Sequence, residues 1–307
     1  MPHPAAPHAP DAAALQLPPG VHQAWLLMRW AAERTHRSKW LMACAMARLQ
    51  LLMRARVAAR VHERLALAYP GLSPRQLQAL LRDNLRETAY AAIDRFRLWR
   101  LCEQDLRDQI DLHGAAILHR YLGRQPLVLL CPHFTGLEAA AQRLTLEGPG
   151  MTLYNPQPDA NVDAVCRAGR QRFGVQLLLP VGASLLPMVR RLQRGVALLL
   201  LPDLYHSGPA APPSRLFDPS AGTGPLAAWC AARIGAVLLP VTVLRTAGRY
   251  RVTVHEPLPD QAGGAAATSD ALCAALESLV RKAPQQYLWA QLRAPRTAAR
   301  APLANRP

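Results

Sequence analysis

The stretch richest in chemistry is Pro126-Leu-Val-Leu-Leu-Cys-Pro-His133-Phe-Thr-Gly-Leu-Glu138. An apolar run ends at Pro132, an imidazole follows, and a carboxylate stands five positions later. Imidazole is the side chain whose ordinary pKa lets it take up and return protons near neutrality. A carboxylate on one ring nitrogen fixes the tautomer and stabilises the imidazolium that forms when the other nitrogen takes a proton. The pair therefore has what general-base activation of a hydroxyl needs. On one continuous helix, positions five apart diverge by ~140°. With His133 in a strand-to-helix turn and Glu138 in the first helical turn, the two side chains converge. That arrangement makes His133 and Glu138 a candidate base and partner. The spacing alone discriminates weakly, because a capped helix beside a satisfied loop histidine reads the same way in a chain with ten histidines. Cys131 reads as a small buried strand residue rather than a nucleophile.

These residues need a strand, a turn and a helix to hold them, and the flanking sequence has that texture. From His22 to about Trp99 the pattern is helical, with Ser73-Pro74 as a capping start and Leu77, Leu80, Leu81 and Leu85 at helical spacing. After Asp111, apolar runs alternate with helical stretches: Pro126–Cys131, Met151–Tyr154, Gln176–Leu179, Val196–Leu201, Ala236–Val243 and Arg249–His255. The internal runs are nearly continuous Leu and Val, as in strands covered on both faces. Arg249–His255 alternates, which suits an edge or half-exposed strand. Helices are expected from Ser184 to Arg194 and from Thr268–Asp270 to Lys282. Strand–helix alternation of this kind predicts an α/β fold, a mainly parallel sheet flanked by helices and preceded by N-terminal amphipathic helices. In such sheets ligands bind beyond the carboxyl ends of strands, which is where His133 stands. The expected organisation is a tail over 1–20, a helical membrane-associating region over 21–100, a catalytic domain over 101–294 and a tail over 295–307.

The 36 Lys and Arg against 20 Asp and Glu give a net charge of +16, nearly all of it from Arg. Such an excess points to a polyanionic partner: an anionic bilayer, a phosphorylated substrate, an acidic carrier protein or nucleic acid. Nucleic acid is disfavoured, since the Arg residues are dispersed and no zinc, RNP-like or helix-turn-helix pattern is present. The six cysteines are scattered without metal or redox spacing. No run reaches the ~20 apolar residues of a spanning helix. The Trp-, Leu- and Arg-rich segments Trp25–Ala32 and Trp40–Met53 suit helices lying in a membrane interface, or ordinary helix packing.

Taken with their surroundings, these residues resemble the His-x4-acid block of the glycerolipid acyltransferase superfamily. More narrowly they are similar to the late acyltransferases of lipid A biosynthesis, the lauroyl and myristoyl transferases, whose block carries Glu. The resemblance spans about 84–293. It is carried by Asp111-Leu-His-Gly114, Tyr154-Asn155-Pro156, Arg170-Gln-Arg172-Phe-Gly174, Leu200-Leu201-Pro202-Asp203, Leu216-Phe217, Gly222–Pro240 and Tyr287-Leu-Trp289. Departures from the family pattern are Leu204 after the Asp, Asp218 after the Phe, Gln291-Leu-Arg293 at the end, and a degraded N-terminal span. They fall around acceptor and membrane contacts.

The resemblance implies acyl transfer from an acyl-carrier-protein or coenzyme A thioester to a hydroxyl of a lipid A precursor. His133 acts as base, Glu138 assists it, and no acyl-enzyme, metal or other cofactor takes part. Backbone amides at the start of the Thr135–Glu138 helix are candidates for holding the oxyanion. Arg167, Arg170 and Arg172 are candidates for phosphate contacts, against the alternative of a solvated basic face. Asp203 either shapes the site, orders the Arg cluster or caps a loop, and Tyr154 joins the substrate-binding set. The implied partners are an acyl-carrier protein, a phosphorylated lipid acceptor and the anionic inner membrane, at its cytoplasmic face. The alternatives are the same chemistry on a lysophospholipid, another polar lipid or a polyene or polyketide product, and a non-catalytic lipid-binding protein at the membrane.

Overall fold

A Leu/Val run with no polar interruption satisfies both of its faces only inside a sheet, and there the internal runs lie. The computed structural model describes residues 19–53, 55–173, 176–180, 185–203, 216–217, 225–258 and 264–291. Strands β1 (Ile110–His113), β2 (Leu127–Leu130), β3 (Gly150–Tyr154), β4 (Gln176–Pro180), β5 (Ala197–Leu200), β6 (Val237–Thr246) and β7 (Arg249–Val254) form one sheet, ordered β1-β7-β6-β2-β5-β3-β4. β2 and β5 are buried at every residue. All neighbours pair in parallel except β6 and β7, a hairpin turned by Ala247 and Gly248, both at positive φ. β7 alternates buried and exposed residues as its sequence predicts, but it is not an edge, because β1 pairs along its outer side.

Among the described residues the N-terminal region holds α1 (Pro19–Ala32), α2 (His36–Leu52), α3 (Arg56–Ala68) and α4 (Pro74–Leu98). Ser73 starts α4 with a capping box, its hydroxyl accepting from Gln76 N at 3.4 Å while Ser73 N donates to Gln76 Oε1 at 2.9 Å. α5 (Glu103–Gln109), α6 (Ala115–Tyr121), α7 (Leu137–Thr145), α8 (Ala160–Gln171), α9 (Leu186–Gln193), α10 (Leu226–Ile234) and α11 (Gly264–Arg281) flank the strands. Two 3₁₀ turns, Pro284–Gln286 and Trp289–Gln291, end the described chain. α11 begins four residues ahead of the expected Thr268, and α7 starts at Leu137 with Gly136 as its N-cap. Pro19 and Gly20, assigned to the tail by composition, open α1. The expectations for 1–18, Gly174, Ser184, Leu204, Asp218, 222–224 and 292–307 lie outside the described residues.

One apolar core runs from α3 and α4 into the sheet, joining Leu65 and Leu85 to Leu129, Tyr287 and Trp289. Among the described residues no helix is long and apolar enough to cross a membrane. Instead α1 and α2 leave Leu26, Leu27, Trp30, Trp40, Leu41 and Leu49 exposed.

α2 is tied down by a buried ionic cluster. Lys39 of α2 bonds Asp94 of α4, and Asp94 also accepts from Arg97 Nε at 2.9 Å and from the Tyr250 hydroxyl of β7 at 2.9 Å. Beside it Arg245 of β6 pairs with Glu87 and lies over the Tyr90 ring at 3.7 Å. Burial pushes the Asp94 carboxyl up, but the bonds and charges of Arg97 and Lys39 outweigh it and hold it below the usual carboxylate range. Removing one partner of such a buried pair typically costs about 3–5 kcal/mol. We therefore expect Asp94→Asn and Lys39→Met to lower the unfolding free energy by about 3 kcal/mol in urea titrations. Arg100→Ala, which breaks the exposed pair with Glu33, is expected to change it by less than about 1 kcal/mol.

Candidate active site

β2 and β5 are neighbours in register, Leu130 against Leu200, and Cys131 N continues the ladder to Leu200 O at 3.0 Å. Three residues beyond each of these positions stand His133 and Asp203, so the two chain segments leave the sheet side by side. His133 Nδ1 lies 2.6 Å from Asp203 Oδ1, and His133 N donates to Asp203 Oδ2 at 2.8 Å. The same Oδ2 accepts from the Tyr287 hydroxyl at 2.7 Å. Burial drives the Asp203 carboxyl up, yet the charge of His133, its two hydrogen bonds and that of Tyr287 hold it below the ordinary carboxylate range. Tyr287 moves the other way, pushed well above its usual value by burial and by Asp203, so it remains a donor. An ionised carboxylate only accepts, so Nδ1 carries the proton and Nε2 is the basic nitrogen available to a substrate.

The turn holding His133 is clamped from the C-terminal side. Leu288 N donates to His133 O at 2.7 Å, Thr135 N donates to Gln286 O at 2.7 Å, and Phe134 and Tyr287 form a β-bridge. Asn84 of α4 holds the clamping segment through Gln285 O at 3.0 Å and Tyr287 O at 2.7 Å. Tyr287 and Trp289 stack edge to face at 4.9 Å, with Phe217 packed on both. The Tyr-x-Trp and Phe217 motifs visible in the sequence are therefore supports of the His133 turn, a role that spacing along the chain did not suggest.

Glu138 is not the partner of His133. Its carboxylate accepts from Arg170 Nε of α8 at 3.0 Å and from Trp99 Nε1 at 3.2 Å. Burial raises the Glu138 carboxyl, but Arg170, then Arg95, then the Trp99 hydrogen bond bring it below the usual range. Gly169 makes this possible: a Cβ there would stand 2.4 Å from Trp99 Cδ2, so only glycine lets the indole lie against α8. His133 and Glu138 nonetheless line the same cavity, about 1050 Å³ in volume, beyond the carboxyl ends of β2, β3 and β5. Its other walls are largely apolar, with Leu137 and Ala141 of α7, Leu153, Leu199, Met188 and Trp229 among them. Among the described residues no cluster of three or more His, Cys, Asp or Glu is arranged to hold a metal ion.

The three candidate phosphate-binding arginines separate. Arg170 lines the cavity bound to Glu138. Arg167 pairs with Asp163 at 2.7 Å and lies over the Tyr154 ring at 5.0 Å. Arg172 is buried under α4, donating to the carbonyls of Leu98, at 3.3 Å, and Leu101, and burial pushes it down to about 10. Arg172 thus serves packing rather than a ligand. Tyr154 lines the cavity, with its hydroxyl donating to Asp163 Oδ1 at 2.6 Å. Two of the expected oxyanion amides are engaged within the protein, Thr135 N donating to Gln286 O and Leu137 N to Phe134 O at 3.1 Å. Cys131 is fully buried and its thiol is pushed far up by burial, the state of a core residue. Sequence reasoning missed Tyr287, Trp99 and Arg95 as site residues. Tyr287 had a motif but no role, and the other two had no signal at all.

A depressed folded-state pKa means stability that is present above the unfolded value and lost as pH falls through the folded one. Below about pH 4 the unfolding free energy of Glu138→Gln should therefore fall less steeply with pH than that of the parent protein, as read by urea unfolding at a series of pH values. Gly169→Ala, which overpacks Trp99, is expected to lower stability by about 1–3 kcal/mol in the same measurement.

The sequence profile of the bacterial lipid A biosynthesis acyltransferases matches residues 24–294. The chain is 22% identical over 275 residues to the lipid A biosynthesis lauroyltransferase of Escherichia coli (strain K12), covering 88% of each. It is 26% identical over 255 residues to the lipid A biosynthesis palmitoleoyltransferase of the same organism, covering 80% of each. Among solved structures it aligns with the 1-acyl-sn-glycerophosphate acyltransferase PlsC from Thermotoga maritima at 14% identity, covering 79% of this chain and 94% of that one, with a TM-score of 0.35. The profile match takes in every strand and the whole His133 site. The protein is an acyltransferase and belongs to the bacterial lipid A biosynthesis acyltransferase family.

Proposed function

We propose that the protein transfers a fatty acyl group from a carrier thioester to a hydroxyl of a lipid A precursor, with His133 as general base oriented by Asp203. The observation that carries this reading is the 2.6 Å contact between His133 Nδ1 and a buried Asp203, at the wall of a large apolar cavity. Nε2 takes the proton of the acceptor hydroxyl as its oxygen attacks the thioester carbonyl. Asp203 stabilises the imidazolium so formed, and Tyr287 keeps Asp203 in place. The tetrahedral intermediate collapses by breaking the C–S bond, and the leaving thiolate recovers the proton from His133. No side chain is acylated, in keeping with a Cys131 thiol that burial holds protonated.

Charge and surface support the reading of the donor and the setting. A thioester on an acidic acyl-carrier protein is suited to a chain of net charge +16. The exposed Leu27, Trp30, Leu41 and Leu49 of α1 and α2, beside Arg34 and Arg37, suit helices lying in the interface of an anionic inner-membrane leaflet.

The test is acyl transfer by purified protein from a labelled acyl-carrier thioester to a tetra-acylated, Kdo-bearing lipid A precursor, offered beside a lysophospholipid. Labelled lipid A product is expected. His133→Ala and Asp203→Asn should lower its rate on the order of 10²–10⁴-fold with the circular dichroism spectrum at the assay temperature unchanged, since both the base and its tautomer would be lost. A folded His133→Ala protein within tenfold of the parent rate would overturn the mechanism, and transfer to the lysophospholipid alone would replace the acceptor. Sedimentation with anionic vesicles should fall when Leu27, Trp30, Leu41 and Leu49 are all changed to Ser, and should persist in His133→Ala.

A further inference from the structure

On the wall of the catalytic cavity two guanidiniums face one carboxylate. Arg95 and Arg170 both line it and both act on Glu138, but only Arg170 is hydrogen-bonded to that carboxylate. Two cations against one anion leave a single excess positive charge in walls that are otherwise mostly apolar. Among the described residues no carboxylate forms an ion pair with Arg95. Its guanidinium lies over the Phe96 and Trp99 rings, 5.8 and 5.9 Å from their centroids, which leaves its N–H donors unused by those contacts. The path to it is open. Thr88, Ala91, Ala92 and Arg95 recur on one face of α4 and all line the cavity, three short side chains leading to one long cation. Arg167 and Arg172, by contrast, are engaged elsewhere.

We propose that Arg95 is an anion subsite of the cavity that takes a phosphate ester of a substrate. A guanidinium offers phosphate oxygens two parallel N–H donors, and in a poorly hydrated site that contact is stronger than in water. Within the acyl-transfer reading, on which the source of the ligand rests, the phosphate belongs either to the sugar headgroup of the acceptor or to the phosphopantetheine arm of the donor.

Arg95→Met keeps an unbranched stem and removes the charge and the N–H donors. Binding comes first: inorganic pyrophosphate, titrated calorimetrically, is expected to bind the parent protein and His133→Ala alike, and Arg95→Met at least tenfold more weakly. No binding to the parent protein, or equal binding to Arg95→Met, overturns the subsite. Kinetics then separate the sources. The acceptor is compared with its dephosphorylated form, and acyl-phosphopantetheine with acyl-pantetheine. In one of the two pairs, the preference for the phosphorylated member should drop about 10- to 100-fold in Arg95→Met, through KM with kcat within a few-fold. Both preferences surviving intact overturns the proposal, and Arg95→Lys restoring part of the lost preference supports it. The pyrophosphate arm requires no turnover, so failure of the acyl-transfer reading is distinguishable from failure of the subsite.

Discussion

Everything beyond the carboxyl ends of β2 and β5 depends on keeping one carboxylate charged inside the protein. Asp203 is 2% exposed, and an unpaired carboxylate at that depth would take a proton instead. It stays ionised because three donors converge on its two oxygens: the His133 ring, the His133 amide and the Tyr287 hydroxyl. The three residues arrive by different structural routes. His133 comes from the end of β2, Asp203 from the end of its neighbour β5, and Tyr287 from the segment that crosses over the His133 turn. The clamp through Leu288, Gln286 and Asn84 fixes the third of these and the backbone of the first together. A small displacement of any one would leave a buried donor or acceptor unpaired, so the arrangement is held as a unit.

The two carboxylates near the cavity have distinct work because their surroundings differ. Asp203 meets an imidazole and fixes the orientation of its ring. Glu138 meets a guanidinium and an indole, and fixes Arg170 at the cavity wall. Both are buried and both are held below the ordinary carboxylate range, but by different partners. Separate partners let Asp203 hold the His133 ring while the positive side of the cavity is built independently by α4 and α8.

α4 connects the two halves of the molecule. Its start is set locally by the Ser73 capping box, and its buried apolar face enters the same core as the sheet. Its polar positions do three separate jobs: Asn84 holds the clamp, Asp94 anchors α2, and Arg95 faces the cavity. Because α1 and α2 pack on this helix, the exposed apolar residues of the N-terminal region are held on the same framework as the site.

Legible in the sequence alone were the α/β class, six of the seven described strands, the helical N-terminal region and the location of His133 just past a strand end. These were legible because they rest on local signals: unbroken Leu/Val runs, a capping Ser-Pro, and the change of texture after Asp111. β1, four residues long and only half-buried, carried no such run and was visible only as a motif by resemblance. What the tertiary structure decided was which carboxylate reaches which partner. Glu138 was near His133 in the chain, so proximity along the sequence favoured it. Asp203, 70 residues away, makes the contact because β5 is inserted beside β2, and strand order is a non-local property that no periodicity records. For the same reason Arg172, a candidate phosphate ligand by resemblance, packs under α4, while Arg95, unremarkable on a basic helix, comes to face the cavity.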